Sequence, residues 1–262
     1  MTATATEKDF APIQSDYEFF VAHATEAEAD LAIYQDWLRE IQPGPGPVRI
    51  LDFGCGPGTF TEQFLDRAGW RSGEVELALV EPVDDYRRAA QERLQGRSAS
   101  PVRAWSQLPN DLAEPFDLVL SNHAFYYVPA LREELTRIVR TLKPGGSFLA
   151  AIAGKENVLI QIWMQAFAWL GRPIPYHTAE DFEDALLAFS FPFCRKDVRY
   201  TLAFPDSDVN RWKILHFLLG EHLEQIPRST ALGFLEPYAV DHRIEMNAKH
   251  FQYRVRRSQG TP

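Results

Sequence analysis

The residues of this chain best suited to holding a nucleotide lie close together. Three glycines at alternate positions, Gly54, Gly56 and Gly58, follow the run Val48-Arg49-Ile50-Leu51-Asp52-Phe53, and acids flank the group at Asp52 and Glu81. Alternate glycines permit a tight turn and let backbone amides approach a ligand. The apolar run before them, with β-branched members, reads as a buried strand, and Phe60, Phe64, Leu65 and Ala68 after them form a helical stripe. Thr59 and Glu62 carry the spacing of a capping box at the start of that helix. Strand, glycine turn and helix N-terminus make the nucleotide-binding half of a doubly wound fold.

Two details select the nucleotide. The dinucleotide pattern G-x-G-x-x-G needs glycine at position 59, where Thr59 stands. A pyrophosphate sits on helix amides, whereas S-adenosylmethionine (SAM) carries a sulfonium and an amino acid and suits an acid beside the turn, as Asp52 is. Glu81 ends the strand Val75 to Val80, where one carboxylate can accept both ribose hydroxyls. A glycine turn that only links strand to helix leaves both acids unexplained. The motif resembles that of the class I SAM-dependent methyltransferases, an acidic strand end followed by G-x-G-x-G. The resemblance implies that Asp52, Gly54, Gly56, Gly58 and Glu81 hold SAM, with S-adenosylhomocysteine as product.

The elements that follow extend this reading. A third strand near Val102 to Trp105 leads to the segment that supplies the adenine contact in this fold. An acid is common there; Trp105 and Ser106 stand in its place, as a ring edge and a hydroxyl for adenine or, for Trp105, as a core residue. Phe116 to Ser121 reads as a fourth strand, with Asn122, His123, Tyr126 and Tyr127 at its carboxyl end, where ligands of open α/β sheets collect. Asn122 is expected to face the cofactor, and His123 and Tyr127 the substrate. His123 can donate, accept or take a proton near neutral pH, or serve as a packed, hydrogen-bonded side chain. Lys143-Pro144-Gly145-Gly146 and a fifth strand, Ser147 to Ala153, match the usual end of the cofactor half.

Two helical stretches follow between Lys155 and Ala188. The first, with Ile162, Trp163, Met164, Phe167, Trp169 and Leu170, is apolar nearly all round and reads as core or lid, with Trp163 toward substrate. Alternation at Val198, Tyr200, Leu202 and Phe204, and again at Phe251, Tyr253 and Val255, predicts a late antiparallel pair. The fold expected is α/β: a Rossmann-like, seven-stranded, mostly parallel sheet with that late pair, N-terminal helices and a helical lid. One domain spans 1–262, with a helical substrate cap over 1–44, the SAM-binding core over 45–155, and substrate-side helices and edge strands over 156–262. Residues 1 to about 15 are polar and expected to be loosely held, and Gln42 to Pro47 breaks the preceding helix.

The N-terminal segment bears on the substrate. Thr25 and Glu28 form a second capping-box pattern, opening a helix in which Leu31, Tyr34, Leu38 and Ile41 share a face. Glu26 therefore sits in a first helical turn, where dipole complementarity alone accounts for it. Phe20 to Glu26, together with Leu79-Val80-Glu81-Pro82, Ala104-Trp105 and Tyr126-Tyr127-Val128 in the same order, resembles the animal histamine N-methyltransferases. That resemblance implies that Glu26 contacts an amine substrate and that Tyr17 and Phe20 line its pocket. Two departures stand out: His123 replaces a glutamine, and Asn247 is followed by Ala248 where the family has a second asparagine that touches substrate. They point away from histamine and toward a related amine, imidazole or amino-acid derivative, with Asn247 as the remaining polar candidate.

An ammonium has no lone pair and must lose a proton before attack. Glu26 can hold it by charge and accept that proton, with His123 orienting or sharing the load. Aromatic faces from Tyr17, Phe20, Tyr127 and Trp163 offer cation–π contacts worth roughly 0.5–2 kcal/mol each. The alternatives are O-methylation of a carboxylate or phenol, and a SAM-binding sensor without turnover; a nicotinamide oxidoreductase needs the missing glycine. The net charge of −9 disfavours nucleic acid, and Arg254, Arg256 and Arg257 read as a solvated strand face. Cys55 and Cys194 lack a zinc spacing, so neither a metal site nor a disulfide framework is expected. No 18-residue apolar run and no signal-peptide pattern is present, so no membrane is expected as a partner and the cytoplasm is the expected compartment.

Overall fold

Strand β1 (Val48–Phe53) is buried at all six positions, as its near-continuous apolar sequence requires of a strand covered on both faces. The structure, a computed structural model, describes residues 11–41, 46–112 and 114–257. β1 pairs in parallel with β2 (Val75–Val80) and β4 (Phe116–Asn122), and β2 with β3 (Arg103–Trp105). β5 (Leu142–Ile152) is parallel to β4, whereas β8 (Arg243–Arg256) runs antiparallel between β5 and β6 (Phe193–Pro205). The order is β3-β2-β1-β4-β5-β8-β6, with the two-residue β7 (Ala239–Val240) also on β8. Seven strands in one path with a late antiparallel pair is the sheet expected.

Helices cover both faces. On one side α2 (Glu26–Leu38), α3 (Thr59–Ala68) and α4 (Asp84–Leu94) bury Leu31, Tyr34, Trp37, Phe64 and Ala90 against Ile50, Leu77 and Leu79. On the other, α5 (Leu131–Thr141) lays Leu131, Leu135, Ile138 and Val139 on the sheet, joined by α6 (Val158–Trp169), α7 (Ala179–Ala188) and α8 (Asp208–Leu219). A short α9 (Arg228–Gly233) follows. Among the described residues no helix is long and apolar enough to cross a membrane.

The N-terminal helices are tied to the far end of the chain. α1 (Gln14–His23) packs on α8, with Phe20 stacked on Phe217 at 4.7 Å and Asp16 2.7 Å from His216 Nδ1. The link from α1 to α2 docks on β6, where the Thr25 amide donates to the Thr201 carbonyl. These contacts aim the first turn of α2 at the carboxyl end of β4.

Several local expectations are corrected. Gly58, not Thr59, precedes α3, and Thr61 turns its hydroxyl to Asp52 while Glu62 pairs with Arg93. Thr25 does precede α2, but its hydroxyl is drawn to Thr201 and Glu28 pairs with Arg67, so neither capping box forms. Lys143 to Gly146 lies within β5, whose register shifts against β4 between Phe116 and Leu118. Met164 and Trp169 are exposed, so α6 is buried on one side only. Arg254 is buried, with Glu40 at 2.5 Å and Ser147 beside it, so of the C-terminal basic group Arg256 is solvated and Arg254 is not. Ile13 is buried and α1 starts at Gln14, so the loosely held segment does not reach 15; residues 1–10 and 42–45 lie outside the described residues.

Candidate functional site

The glycine turn after β1 adopts left-handed backbone at each glycine, with φ of +76° at Gly54, +53° at Gly56 and +78° at Gly58. A Cβ on Gly54 would stand 2.3 Å from that of Ala124, whereas one on Gly56 would enter open space. Gly54 is thus glycine for packing, and Gly56 leaves bare backbone at the mouth of the turn. Glu81 accepts the Gly56 amide on one carboxylate oxygen and the Val83 amide on the other, both at 2.9 Å, which fixes it at that mouth. Asp52 lies behind the turn, buried, accepting the Thr61 hydroxyl. Burial pushes its carboxyl up to about 7; the Thr61 bond works against this and the charge of Glu81 adds to it. Two buried acids around an amide-lined turn fit a ligand that brings both a diol and positive charge, as SAM does. Trp105 is half-buried beside Glu81, its carbonyl accepting the Glu81 amide at 2.9 Å, while Ser106 is exposed.

Ala124, against Gly54, leads directly to a second group of polar residues. His123 precedes it in left-handed backbone, φ +57°, a conformation that is uncommon outside glycine and concentrates at functional sites. Its Nε2 is 3.1 Å from Asp30 and 3.7 Å from Glu26; its Nδ1 is 3.0 Å from the Tyr126 hydroxyl. Glu26 and Asp30 are one turn apart on α2, so both carboxylates project to this end of the sheet. Asp30, fully buried, also receives Asn122 Nδ2 at 3.1 Å, His250 Nε2 at 2.6 Å and Gln252 Nε2 at 2.6 Å. Burial alone would raise Asp30, but the charge of His250 and the histidine hydrogen bonds hold it well below the usual carboxylate range. For His123, burial opposes protonation, yet the charges of Glu26 and Asp30 and the Asp30 bond carry it up to about 9.

Glu26 retains some exposure and stands among rings. The Tyr17 phenol is pushed up to about 12, by burial first and then by Glu26 and Tyr86. Tyr126 and Tyr200 are also raised, by burial first and then by Glu26. Tyr127 packs on Tyr126 and Tyr176, with ring centroids 5.7 and 5.1 Å apart.

The structure therefore brings Tyr17, Glu26, His123 and Tyr127 close together beside the glycine turn. Phe20 lies behind them, stacked on Phe217. Trp163 backs Tyr126 at 5.6 Å and donates its indole N–H to the Leu218 carbonyl, so it packs the wall. Asn122 turns its side chain to Asp30 and to the Tyr34 hydroxyl, joining this cluster rather than the glycine turn. Asn247 is exposed and, three residues from His250 on one strand, points to the opposite face. There it lines an open cleft of about 360 Å³ with Thr25, Tyr200 and Thr201.

Asp30, Tyr200, His250 and Gln252 escape the reading of the sequence. For Asp30 the signal was its i, i+4 spacing with Glu26 and Tyr34; for His250 it was shared parity with the inward-facing Met246, Ala248 and Gln252. The donor atoms of Glu26, His123 and His250 lie within 4.8 Å of one another. Their 3.7 and 3.8 Å separations fall between the roughly 3.3 Å of ligands on a tetrahedral zinc and the roughly 4.6 Å of acceptors around one ammonium.

Comparison with known proteins agrees with the glycine turn. The model of a methyltransferase domain family matches residues 23–191. Malonyl-[acyl-carrier protein] O-methyltransferase of Paenibacillus sp. is 25% identical over 197 residues, 68% of this chain and 68% of that protein. Trans-aconitate 2-methyltransferase of Rhodococcus jostii is 35% identical over 104 residues, 40% of this chain and 37% of that protein. The Mycobacterium tuberculosis enzyme of that name is 29% identical over 183 residues, 66% and 62%. The chain thus spans less than two thirds of the length of both trans-aconitate relatives. Among solved structures, the YcgJ protein of Bacillus subtilis matches with a TM-score of 0.60 at 14% identity, over 88% of this chain and 99% of that one. The plantazolicin methyltransferase BpumL, in complex with S-adenosylhomocysteine, gives 0.54 at 13%, over 94% and 89%. Likeness at such identity speaks for the fold, and the family match speaks for the rest: this chain belongs to the class I SAM-dependent methyltransferases.

Proposed function

We propose that the chain methylates the nitrogen of a small cationic acceptor, an amine, imidazole or amino-acid derivative, with Asp52, Glu81 and the glycine turn holding SAM. The observation that carries this reading is Glu26: a half-buried carboxylate among tyrosines, paired among the described residues with histidines and with no lysine or arginine in ion-pair range. Protonated His123 sets one positive charge against the two carboxylates Glu26 and Asp30, so a cationic acceptor supplies the second, whereas a polycarboxylate would add to the acids with no guanidinium to offset it. SAM, when bound, supplies a methyl already activated on a sulfonium, so the residues of the chain need only hold, orient and deprotonate the acceptor. His123, carried up to about 9, is already protonated at neutral pH. It therefore steadies Asp30 and Glu26 and takes no proton from substrate, a narrower part than the sequence suggests.

A second reading, O-methylation of a carboxylate, draws on the relatives, named for malonyl-[acyl-carrier protein] and trans-aconitate. Glu26→Gln separates the two. Loss of a charge-assisted hydrogen bond, about 1.5–3 kcal/mol, should raise KM for an amine roughly 10–150-fold and leave SAM affinity unchanged. The same substitution should lower KM for a carboxylate acceptor. An amine KM unaltered in Glu26→Gln would refute the amine reading.

A further inference from the structure

The Asp30–His250 pair has a geometry that the sequence does not reveal and that anchoring a cation does not require. Asp30 Oδ1 lies 2.6 Å from His250 Nε2, and both side chains are wholly buried. A carboxylate only accepts, so Nε2 carries the hydrogen and Nδ1 is the bare nitrogen. That nitrogen has no hydrogen-bond partner despite complete burial, and it faces Glu26 Oε1 at 3.8 Å. A buried ring nitrogen without a partner is uncommon in folded proteins and calls for an explanation. Asp30 itself is over-determined: Gln252, Asn122 and His123 fill its remaining acceptor positions, so it can neither turn away nor release His250.

We infer that His250 is the general base of this methyltransferase, with Asp30 as its positioning residue, an inference that rests on the amine reading. An ammonium nitrogen about 2.8 Å from both Glu26 Oε1 and His250 Nδ1 subtends about 85° across their 3.8 Å separation, so the two groups part by about 0.8 Å to seat it at the tetrahedral angle. One N–H bond of the ammonium breaks and the proton bonds to Nδ1; the nitrogen keeps the electron pair and becomes a nucleophile. The imidazolium so formed lies between Asp30 and Glu26, which take up its charge. The other groups around the ring are His123, edge-on at 4.6 Å between centroids, and Tyr200 at 5.4 Å.

The test uses the full chain with His250→Asn, an amine found to be a substrate of the wild type, and S-adenosylhomocysteine for binding. Calorimetry gives the Kd of the amine, which should change less than threefold in His250→Asn, because the proton passes from ammonium to imidazole within the complex and none is exchanged with buffer. In turnover the variant should lose 10²–10⁴-fold in kcat, with KM held, and the acid limb of the kcat profile should vanish. Unchanged kcat and pH profile would overturn the assignment of His250. A wild type that binds no amine would overturn the amine reading instead. Should the variant fail to fold, nitrogen-15 spectra of histidine-labelled wild type report the tautomer directly: Nε2–H with bare Nδ1 supports the pair, and Nδ1–H refutes it.

Discussion

Asp52→Asn should make the ligand-free protein more stable and a poorer binder of SAM. The Asp52 carboxyl is buried behind the glycine turn beside Glu81, and its pKa is raised from 3.8 to about 7. Below about pH 4 the group is protonated in folded and unfolded chains alike. Between about 4 and 7 the folded chain keeps a proton that the unfolded chain has lost, so stability falls as pH rises, and the full cost is present above 7. At about 1.4 kcal/mol per pH unit, that rise amounts to a loss on the order of 4 kcal/mol. Asparagine does not titrate and its amide oxygen can still accept the Thr61 hydroxyl. Urea melts followed by tryptophan fluorescence should therefore show the variant and wild type diverging from pH 4 upward, with the variant ahead by a few kcal/mol at pH 8. The sulfonium and ammonium of SAM favour the ionised acid, so SAM binding to wild type at pH 6 should release close to one proton, read by calorimetry across buffers. Equal stability at pH 8 together with SAM binding that moves no proton would refute this account.

Two further substitutions test the scaffold. Gly54→Ala forces a Cβ into that of Ala124 in left-handed backbone and should cost about 2–4 kcal/mol in a urea melt, abolishing SAM binding. Gly56→Ala meets open space and should cost less, about 1–2 kcal/mol, from backbone alone. Tyr126→Phe removes the acceptor of the buried Ala153 amide, 2.7 Å away, and should lower stability by about 1–3 kcal/mol with little change in SAM affinity, measured by the same melts and by titration.

What could be read in the chain was what is local. Glycine sterics, a buried strand and a helical stripe are fixed within a dozen residues, so β1, the turn and α3 follow from their own sequence. Alternation in β6 and β8 is equally local, and it gave the late pair. Distant competitors overrode local rules elsewhere. Thr25 follows the capping pattern, yet Thr201, 176 residues on, takes its hydroxyl. Asp30 looks like one more polar residue of an amphipathic helix, because the groups that satisfy it lie between 92 and 222 residues away. Asn247 has the right side chain on the wrong side of its strand, and only the register of β8 against β6 shows it.

The last strand of the sheet slots between two made earlier, β5 and β6. On the ribosome, the glycine turn has all its flanking strands by residue 122, but Asp30 must wait 220 residues for the imidazole of His250. The surroundings of the glycine turn are thus complete early in the chain and those of Asp30 late.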